Sequence, residues 1–482
     1  MTIILLGIGA VIVAAFGIAL LDVTIRRAEV GAALVFLSAV VQAMFIYEVP
    51  SVRLGGTRVG VTDLVVVIVL AAATARCLRL RDFSRHLHWL ILLATLLLVS
   101  LILGIADHGI QTSVGDARQY LFFVGAALYM ATFRPTLELY ERIGRVWLVM
   151  AGLMVLLACA RWLQVFAGVD LGVPAERNGV DTATRVLDGP YAFFLAGALL
   201  LTVPFWFRHG QARWVRWMGV LLLVVVVVLD RRTVWLALLV GVAVLLLRGR
   251  RLGGRAIALV VVASVLTVLA FAGDVLARDQ APAGTVTSTG TLDWRVAGWS
   301  DLVTGWSESP VNWLVGIPFG SGFNRVVEGF DVTAHPHNLF IETMIRAGVG
   351  GLIALIALTV GLLRRLWRVR VGGAGLFDPG MLAPLLAMQV VWYLTWVPGL
   401  EQGVVTGMAV AVAAAKGRAA AARRTRGPTG PPEPSRQDTV GGTEPAEALR
   451  RPRVSWEPPP PGPSRDVAVD DARAGSAAGE PD

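Results

Sequence analysis

The sequence predicts an all-α, polytopic membrane protein. Of its 482 residues, 55% are hydrophobic and only 16% are charged, and the mean hydropathy is +0.67. The apolar residues form runs of about 17 to 25 residues, the length at which a helix crosses a hydrocarbon core of roughly 30 Å. These runs recur from Ile3 to about Ala415, so one helical membrane domain over residues 1–415 is expected in place of several soluble domains.

The positions of the apolar runs predict about 12 to 13 transmembrane helices. The candidate spans are about 3–21, 30–49, 59–76, 88–105, 115–133, 144–166, 189–207, 214–229, 232–247, 256–273, 338–363, 380–398 and 402–415. The longest segment between them, residues 274–337, is the only connection large enough to carry structure of its own.

Arginine residues cluster in alternate short loops, and this alternation predicts the orientation of the chain in the membrane. The clusters include Arg26 and Arg27, the group from Arg76 to Arg85, and the group from Arg364 to Arg370. Loops rich in arginine stay in the cytoplasm, so the loop 274–337 is expected on the outer side of the cytoplasmic membrane. The net charge of +9 therefore indicates topology, and no nucleic acid partner is expected.

The composition changes sharply after the last apolar run. Residues 416–482 are rich in Pro, Ala and Gly and poor in bulky apolar residues, which predicts a disordered cytoplasmic tail. Its run of four prolines would suit a tail-binding protein partner, because such a run adopts the polyproline II conformation. A solvated tail without a specific partner is the alternative.

Several charged residues fall at the predicted outer membrane boundary. Asp230, Arg231 and Arg232 lie between two apolar runs, and Arg118 follows Asp116 at the start of another run. Charge at this depth is costly unless it faces water or a counter-ion. Snorkelling arginines with an internal partner such as Asp230 are one interpretation. A site for a diphosphate is the other, because guanidinium groups bind phosphate oxygens through paired donors.

The outer loop contains a stretch that predicts an amphipathic helix. One face of that helix would carry Leu292, Val296, Trp299, Leu302 and Val303, with Arg295 at its edge. The density of tryptophan indicates either anchoring at the membrane interface or stacking on sugar rings.

The loop ends in "TAHPHNLFIETMIRAGVGGL", residues 333–352, where polar residues precede an apolar helix. Glu342 and Arg346 are four residues apart, so they are expected to neutralise each other on one helix face. His335 and His337 lack further ligands at metal-site spacing, so neither a metal nor any other cofactor is expected. The glycines at 348, 350 and 351 are expected to permit close helix packing.

Three segments resemble the O-antigen ligase and O-antigen polymerase family. His337 and Asn338, followed after nine residues by "GVGG", resemble its His-Asn signature, and Glu342 falls where the family often has glutamate. "RRTVWLAL" is similar to its arginine segment at the outer boundary, with Arg232 the better aligned arginine. "RVAGW", from Arg295 to Trp299, is similar to its Arg-x-x-x-Trp motif. The resemblance covers about residues 220–352.

This resemblance implies a membrane glycosyltransferase with its active site facing outward. It would transfer or polymerise a glycan from an undecaprenyl diphosphate-linked donor to a hydroxyl of an acceptor glycan or lipid, among membrane lipids. His337 is the expected base or acceptor-orienting group, and Arg232 and Arg295 are expected to bind the diphosphate. The expected substrate-binding residues are Arg231, Arg118, Asn338, Trp299 and Glu342.

Alternatives remain at two levels. Polymerase and ligase use the same donor chemistry and differ in the acceptor, and either Arg231 or Arg232 could face the site. A multi-pass transporter or flippase of a lipid-linked or anionic substrate is the alternative function, since it would share the helix count and the outer charges.

The arginine alternation yields a test of orientation. A reporter fused near Gly320 is expected to report an outside location, and one fused near Arg368 an inside location. Measurement of periplasmic against cytoplasmic reporter activity checks both, and a cytoplasmic signal at Gly320 would contradict the predicted topology.

Overall fold

A computed structural model describes residues 15–45, 50–54, 57–79, 85–169, 186–206, 213–248, 291–327, 330–333, 335–369 and 375–425. These residues are predominantly helical, which confirms the predicted all-α class, and they belong to one compact unit, Met1–Arg426. The predicted span 256–273, residues 274–290 of the outer loop and the tail from residue 426 lie outside the described residues.

The helices before the outer loop are α1 (Ala15–Arg26), α2 (Ala28–Met44), α3 (Val61–Cys77), α4 (Arg85–His108), α5 (Ile110–Ala131), α6 (Leu137–Phe166), α7 (Gly189–Trp206), α8 (Arg213–Val228) and α9 (Arg232–Arg248). The remaining helices are α10 (Thr291–Ser307), α11 (Pro310–Val315), α12 (Leu339–Trp367), α13 (Leu382–Tyr393) and α14 (Leu400–Thr425). Two short antiparallel hairpins complete the described part: β1 (Ser51–Leu54) with β2 (Thr57–Gly60), and β3 (Arg325–Val327) with β4 (Phe330–Val332).

Fewer helices than predicted are long and apolar enough to cross a membrane. Within the described ranges there are four, α4, α6, α7 and α12, and a fifth if α1 and α2, which are bent by 118° at their junction, form one span. Other apolar helices have fewer than the 18 residues taken as the minimum for a span: α8 has 16 residues, and α3 and α9 have 17. The predicted span 380–398 also ends early, since α13 stops at Tyr393 after 12 residues.

The last helix extends past the predicted boundary of the membrane domain. The apolar pattern ends near Ala415, but α14 continues to Thr425. The residues in between are rich in alanine and arginine, which are strong helix formers, so hydropathy marked the end of the apolar segment and not of the helix.

Small residues allow the helices to approach closely. α14 lies against α5, where a side chain at Gly403 or Gly407 would meet the backbone carbonyls of Phe123 and Ala127. Glycines four residues apart form one strip on a helix, and this strip brings the two backbones together. Other close pairs are α9 with α13 and α4 with α12.

Helix α12 is interrupted at Gly348, and the outer loop docks at this break. Gly348 has φ 65° and ψ −171°, a conformation that is essentially restricted to glycine. The carbonyls of Trp313 and Leu314 lie directly against it, and the Ile317 N–H donates to the Ile345 carbonyl over 2.6 Å. The first segment of α12, from Leu339 to the break, is therefore attached to the outer loop as well as to the helices.

Gly348 and Gly350 form a matched pair for a stability test. Gly348→Ala is expected to destabilise the protein by about 1–3 kcal/mol, because this position requires a backbone conformation that alanine avoids. Gly350→Ala should have little effect, since its methyl group would meet only Leu96 at 3.5 Å. Thermal unfolding in detergent measures both, and equal unfolding temperatures for the two variants would contradict this account of the break.

Candidate functional site

Arg346 on α12 connects the outer loop to the membrane helices. Its side chain is fully buried and forms an ion pair of 2.7 Å with Asp116 on α5. The guanidinium also donates to the Pro318 and Gly322 carbonyls, each over 2.8 Å, and lies over the ring of Phe323 at 4.1 Å. These contacts hold the turn of residues 317–323 between α5 and α12.

Two ion pairs expected from the sequence are replaced by others. Arg346 forms its direct ion pair with Asp116, whereas Glu342 contacts His335 and acts on Arg346 only at longer range. Arg118, expected beside Asp116, instead lies 3.1 Å from Asp63 and donates to the Arg58 carbonyl over 2.8 Å. Residues two apart on a helix point in different directions, which separates Asp116 from Arg118.

Glu342 is paired with His335. The His335 Nδ1 lies 3.0 Å from Oε1 of Glu342, whose side chain is 1% exposed, whereas that of His335 is 39% exposed. The other carboxylate oxygen of Glu342 is buried and has no hydrogen-bond partner among the residues that the structure describes. The hydrogen bond to Glu342 raises the pKa of His335 above its usual value, an effect that outweighs the opposing effect of burial.

His337, two residues further along, lies in a different environment. Its backbone has φ 53°, and its ring packs on Trp396 with a centroid distance of 5.1 Å. Trp396 stacks on Trp392, which in turn stacks on Phe193. The Nδ1 of His337 is buried and has no hydrogen-bond partner in the described part of the chain.

The pKa of His337 is lowered to about 4, first by burial and then by the positive charge of Arg295. His335 and Arg325 add smaller effects in the same direction. His337 is therefore neutral at physiological pH.

Helix α10 is the predicted amphipathic helix, and it is attached to the histidine segment. The Trp299 indole N–H donates to the Pro336 carbonyl over 2.6 Å, between the two histidines. Arg295, one turn earlier, is half-buried, and burial lowers its pKa. The buried face differs in part from the prediction, because Val296 is 50% exposed while Leu302 and Trp306 are buried. Side chains from α12 and the turn cover the C-terminal half of the helix and leave Val296 uncovered.

The arginines at the start of α9 approach the same region. Arg231 donates to the Leu187 carbonyl over 3.0 Å and lies 3.5 Å from the Asp188 carboxylate. The Asp188 charge also acts on His337, in the direction that raises its pKa. Arg231 therefore has an acidic neighbour in the segment before α7. Arg232 begins α9 and is half-buried.

Asn338 has a structural function at the start of α12. Its side-chain oxygen accepts hydrogen bonds from the Phe340 and Ile341 N–H groups, over 3.0 and 3.2 Å. This is an N-cap, which satisfies backbone donors that have no partner inside the helix. The substrate-binding role of Asn338 remains a prediction. Because the side-chain oxygen forms the N-cap, only the side-chain NH₂ group would bind substrate.

Two residues near His337 were missed in the sequence. Arg325 is 5% exposed, lies in β3 and contributes positive charge at His337, but no motif surrounds it. Trp396 packs directly on the His337 ring. A signal for it was present, since Trp392 and Trp396 are four residues apart and so lie on one face of a helical turn.

The described residues contain no cluster of three or more His, Cys, Asp or Glu side chains that could hold a metal ion. No curated protein matches the chain. The family model for O-antigen ligase matches residues 217–356, a range that contains Arg232, Arg295, both histidines and Arg346. The match confirms the predicted resemblance, and residues 217–356 are similar to the O-antigen ligase family.

Proposed function

We propose that the protein is a membrane glycosyltransferase that uses an undecaprenyl diphosphate-linked glycan as donor. It transfers or polymerises this glycan onto the hydroxyl of an acceptor glycan or lipid, at the outer face of the cytoplasmic membrane. The observation that carries the proposal is that Arg295 and Arg325 place positive charge near His337 within the segment that matches O-antigen ligase. The apolar helices and the arginine alternation support the location and the outward orientation.

The arginines supply the binding site for the diphosphate. Arg295 is half-buried and Arg325 is almost fully buried, and a partly desolvated guanidinium is stabilised by an anion. Arg232 and Arg231, at the start of α9, add positive charge, and Arg118 is a further candidate. Paired donors from arginine match phosphate oxygens in geometry, and they neutralise the negative charge that develops on the departing diphosphate.

His337 interacts with the acceptor as the base or orienting group. Because its imidazole is neutral at physiological pH and its Nδ1 lacks a partner in the described part of the chain, a hydroxyl can hydrogen-bond to it. Trp299 holds the backbone of this segment through Pro336, and Trp396 supports the ring.

The reaction itself is a substitution at the anomeric carbon of the donor. The acceptor oxygen forms a bond to this carbon, and the bond from the carbon to the diphosphate oxygen breaks, with its electron pair leaving on the diphosphate. The acceptor hydroxyl loses its proton to a base. Diphosphate is a good leaving group, so no general acid is required.

The direct test is transfer by the purified protein. The protein in lipid nanodiscs is mixed with an undecaprenyl diphosphate-linked glycan and an acceptor, and product formation is measured. A deletion strain distinguishes the two forms of the activity. Loss of long chains with single repeat units remaining favours a polymerase, whereas long chains held on the lipid carrier favour a ligase. No transfer with either acceptor class would refute the proposal.

Arg295 tests the paired-donor interaction with the diphosphate. Arg295→Lys is expected to lower transfer nearly as much as Arg295→Ala, by about 100-fold, because an ammonium group cannot reproduce the planar fork of donors. The control is Arg142→Lys, which alters an exposed ion pair with Glu29 and Glu138. Initial rates at saturating donor measure the effect. Full activity of Arg295→Lys would show that only positive charge is needed there.

His337 tests the separation of acceptor chemistry from donor binding. His337→Ala is expected to lose transfer by roughly 100- to 10,000-fold, because a base or orienting group is removed. Binding of the lipid-linked donor, measured by fluorescence or calorimetry, should be retained because the diphosphate is bound by arginines. Near-normal turnover of the variant would contradict the role assigned to His337.

A further inference from the structure

His335 has no role in the reaction as described so far, and Glu342, which the family resemblance assigns to substrate binding, is paired with it. Both residues lie within the segment that matches O-antigen ligase, and His335 is separated from His337 only by Pro336. A buried carboxylate paired with a partly exposed imidazole is a costly arrangement in a membrane protein, because the charge must be desolvated. A pair with this energetic cost is expected to serve a function.

The geometry of the pair orients the imidazole. The Nδ1 of His335 faces the buried carboxylate of Glu342 at 3.0 Å, so the ring edge that carries Nε2 points away from this carboxylate, and the side chain as a whole is 39% exposed. When the carboxylate accepts the Nδ1–H, the lone pair is on Nε2. Phe323 packs on the ring at 5.1 Å and limits its rotation. A histidine oriented by a buried carboxylate is the arrangement in which an imidazole acts as a general base.

We propose that His335, oriented by Glu342, takes the proton from the acceptor hydroxyl, while His337 orients the acceptor through a hydrogen bond. The proposal rests on the glycosyl transfer proposed above and assigns its proton to a second histidine. His335 is then a catalytic residue, and Glu342 is a positioning residue that acts through it.

The charges around the two histidines support this division. A proton on His337 would lie near Arg295 and Arg325, which are positive, and the lowered pKa of about 4 makes His337 a weak proton acceptor. A proton on His335 would lie near Glu342 on α12 and Asp116 on α5. Arg346 and His337 are the positive or titratable groups that act against it, but Arg346 is neutralised by its ion pair with Asp116.

The proton balance of the step is complete without a further reactant. The acceptor oxygen bonds to the anomeric carbon as its proton moves to Nε2 of His335. The electron pair of the broken bond leaves with the diphosphate. The imidazolium of His335 is stabilised by Glu342 and, because the side chain is partly exposed, releases its proton to water before the next turnover.

The pH dependence of transfer distinguishes the two histidines as bases. A base must be unprotonated to act, so activity falls as the pH decreases through its pKa. If His335 is the base, wild-type transfer should decrease as the pH falls through a value above 6.5, the ordinary histidine pKa. If His337 is the base, transfer should stay level down to about pH 4. Initial rates in nanodiscs with the undecaprenyl diphosphate-linked glycan, from pH 4.5 to 8.5, measure this.

Two variants complete the experiment. His335→Gln should lower transfer by about 100-fold or more and remove the decrease at low pH, while donor binding is retained. Glu342→Gln should move the decrease to lower pH and reduce the maximal rate, because the carboxylate that favours protonation of His335 is gone. His88→Gln, an exposed histidine in the first turn of α4, is the matched control and should match the wild type.

The outcomes separate this inference from the proposed function. Wild-type transfer that is level down to pH 5, or full activity of His335→Gln, overturns the role of His335 and leaves the glycosyltransferase intact. Absence of transfer by the wild-type protein at every pH refutes the proposed function and this inference with it. Because the His335 side chain is partly exposed, its replacement tests the inference even if Glu342→Gln does not fold.

Discussion

The burial of one guanidinium, that of Arg346, is the constraint on which the candidate site depends. A buried charge is tolerated only when it is paired and its donors are satisfied, because desolvation otherwise costs several kcal/mol. Arg346 is paired with Asp116 on α5, and its two terminal nitrogens donate to carbonyls of the turn 317–323, while its Nε has no hydrogen-bond partner among the described residues. The same carboxylate of Asp116 accepts from the Gly320 N–H over 2.9 Å. The outer loop is thereby connected to α5 and α12 through a single polar centre.

This centre also determines the environments of the two histidines. Because Arg346 forms its direct ion pair with Asp116, the Glu342 carboxylate is available to pair with His335. His337 packs on Trp396 and lies near the positive charges of Arg295 and Arg325 in the outer loop. Two imidazoles separated by one residue therefore differ in basicity, and a difference of this kind allows one group to bind while the other transfers a proton.

Features that depend on composition and short-range spacing could be predicted. The all-α membrane class followed from the apolar runs, the helix at 291–307 from its periodicity, and the family resemblance from three short segments. Predictions of which charges pair were wrong, as for Glu342 with Arg346. Sequence spacing identifies only the charges that are neighbours on the same helix. A fully buried arginine pairs with the carboxylate that the fold brings closest, which can come from another helix. Some predicted helix ends were inexact for a related reason, since apolarity does not determine where a helix ends.

The sequence alone determined that polar residues lie at one end of the apolar helices. It also showed that this group includes arginines and the segment from His335 to Asn338. The tertiary structure alone decided which histidine receives a carboxylate, and it brought Arg325 and Trp396 to His337. The physical reason is that the basicity of an imidazole depends on burial and on charges within a few ångströms. At this site those charges come from residues distant in the chain, and only the packing of α5, α10 and α12 brings them together.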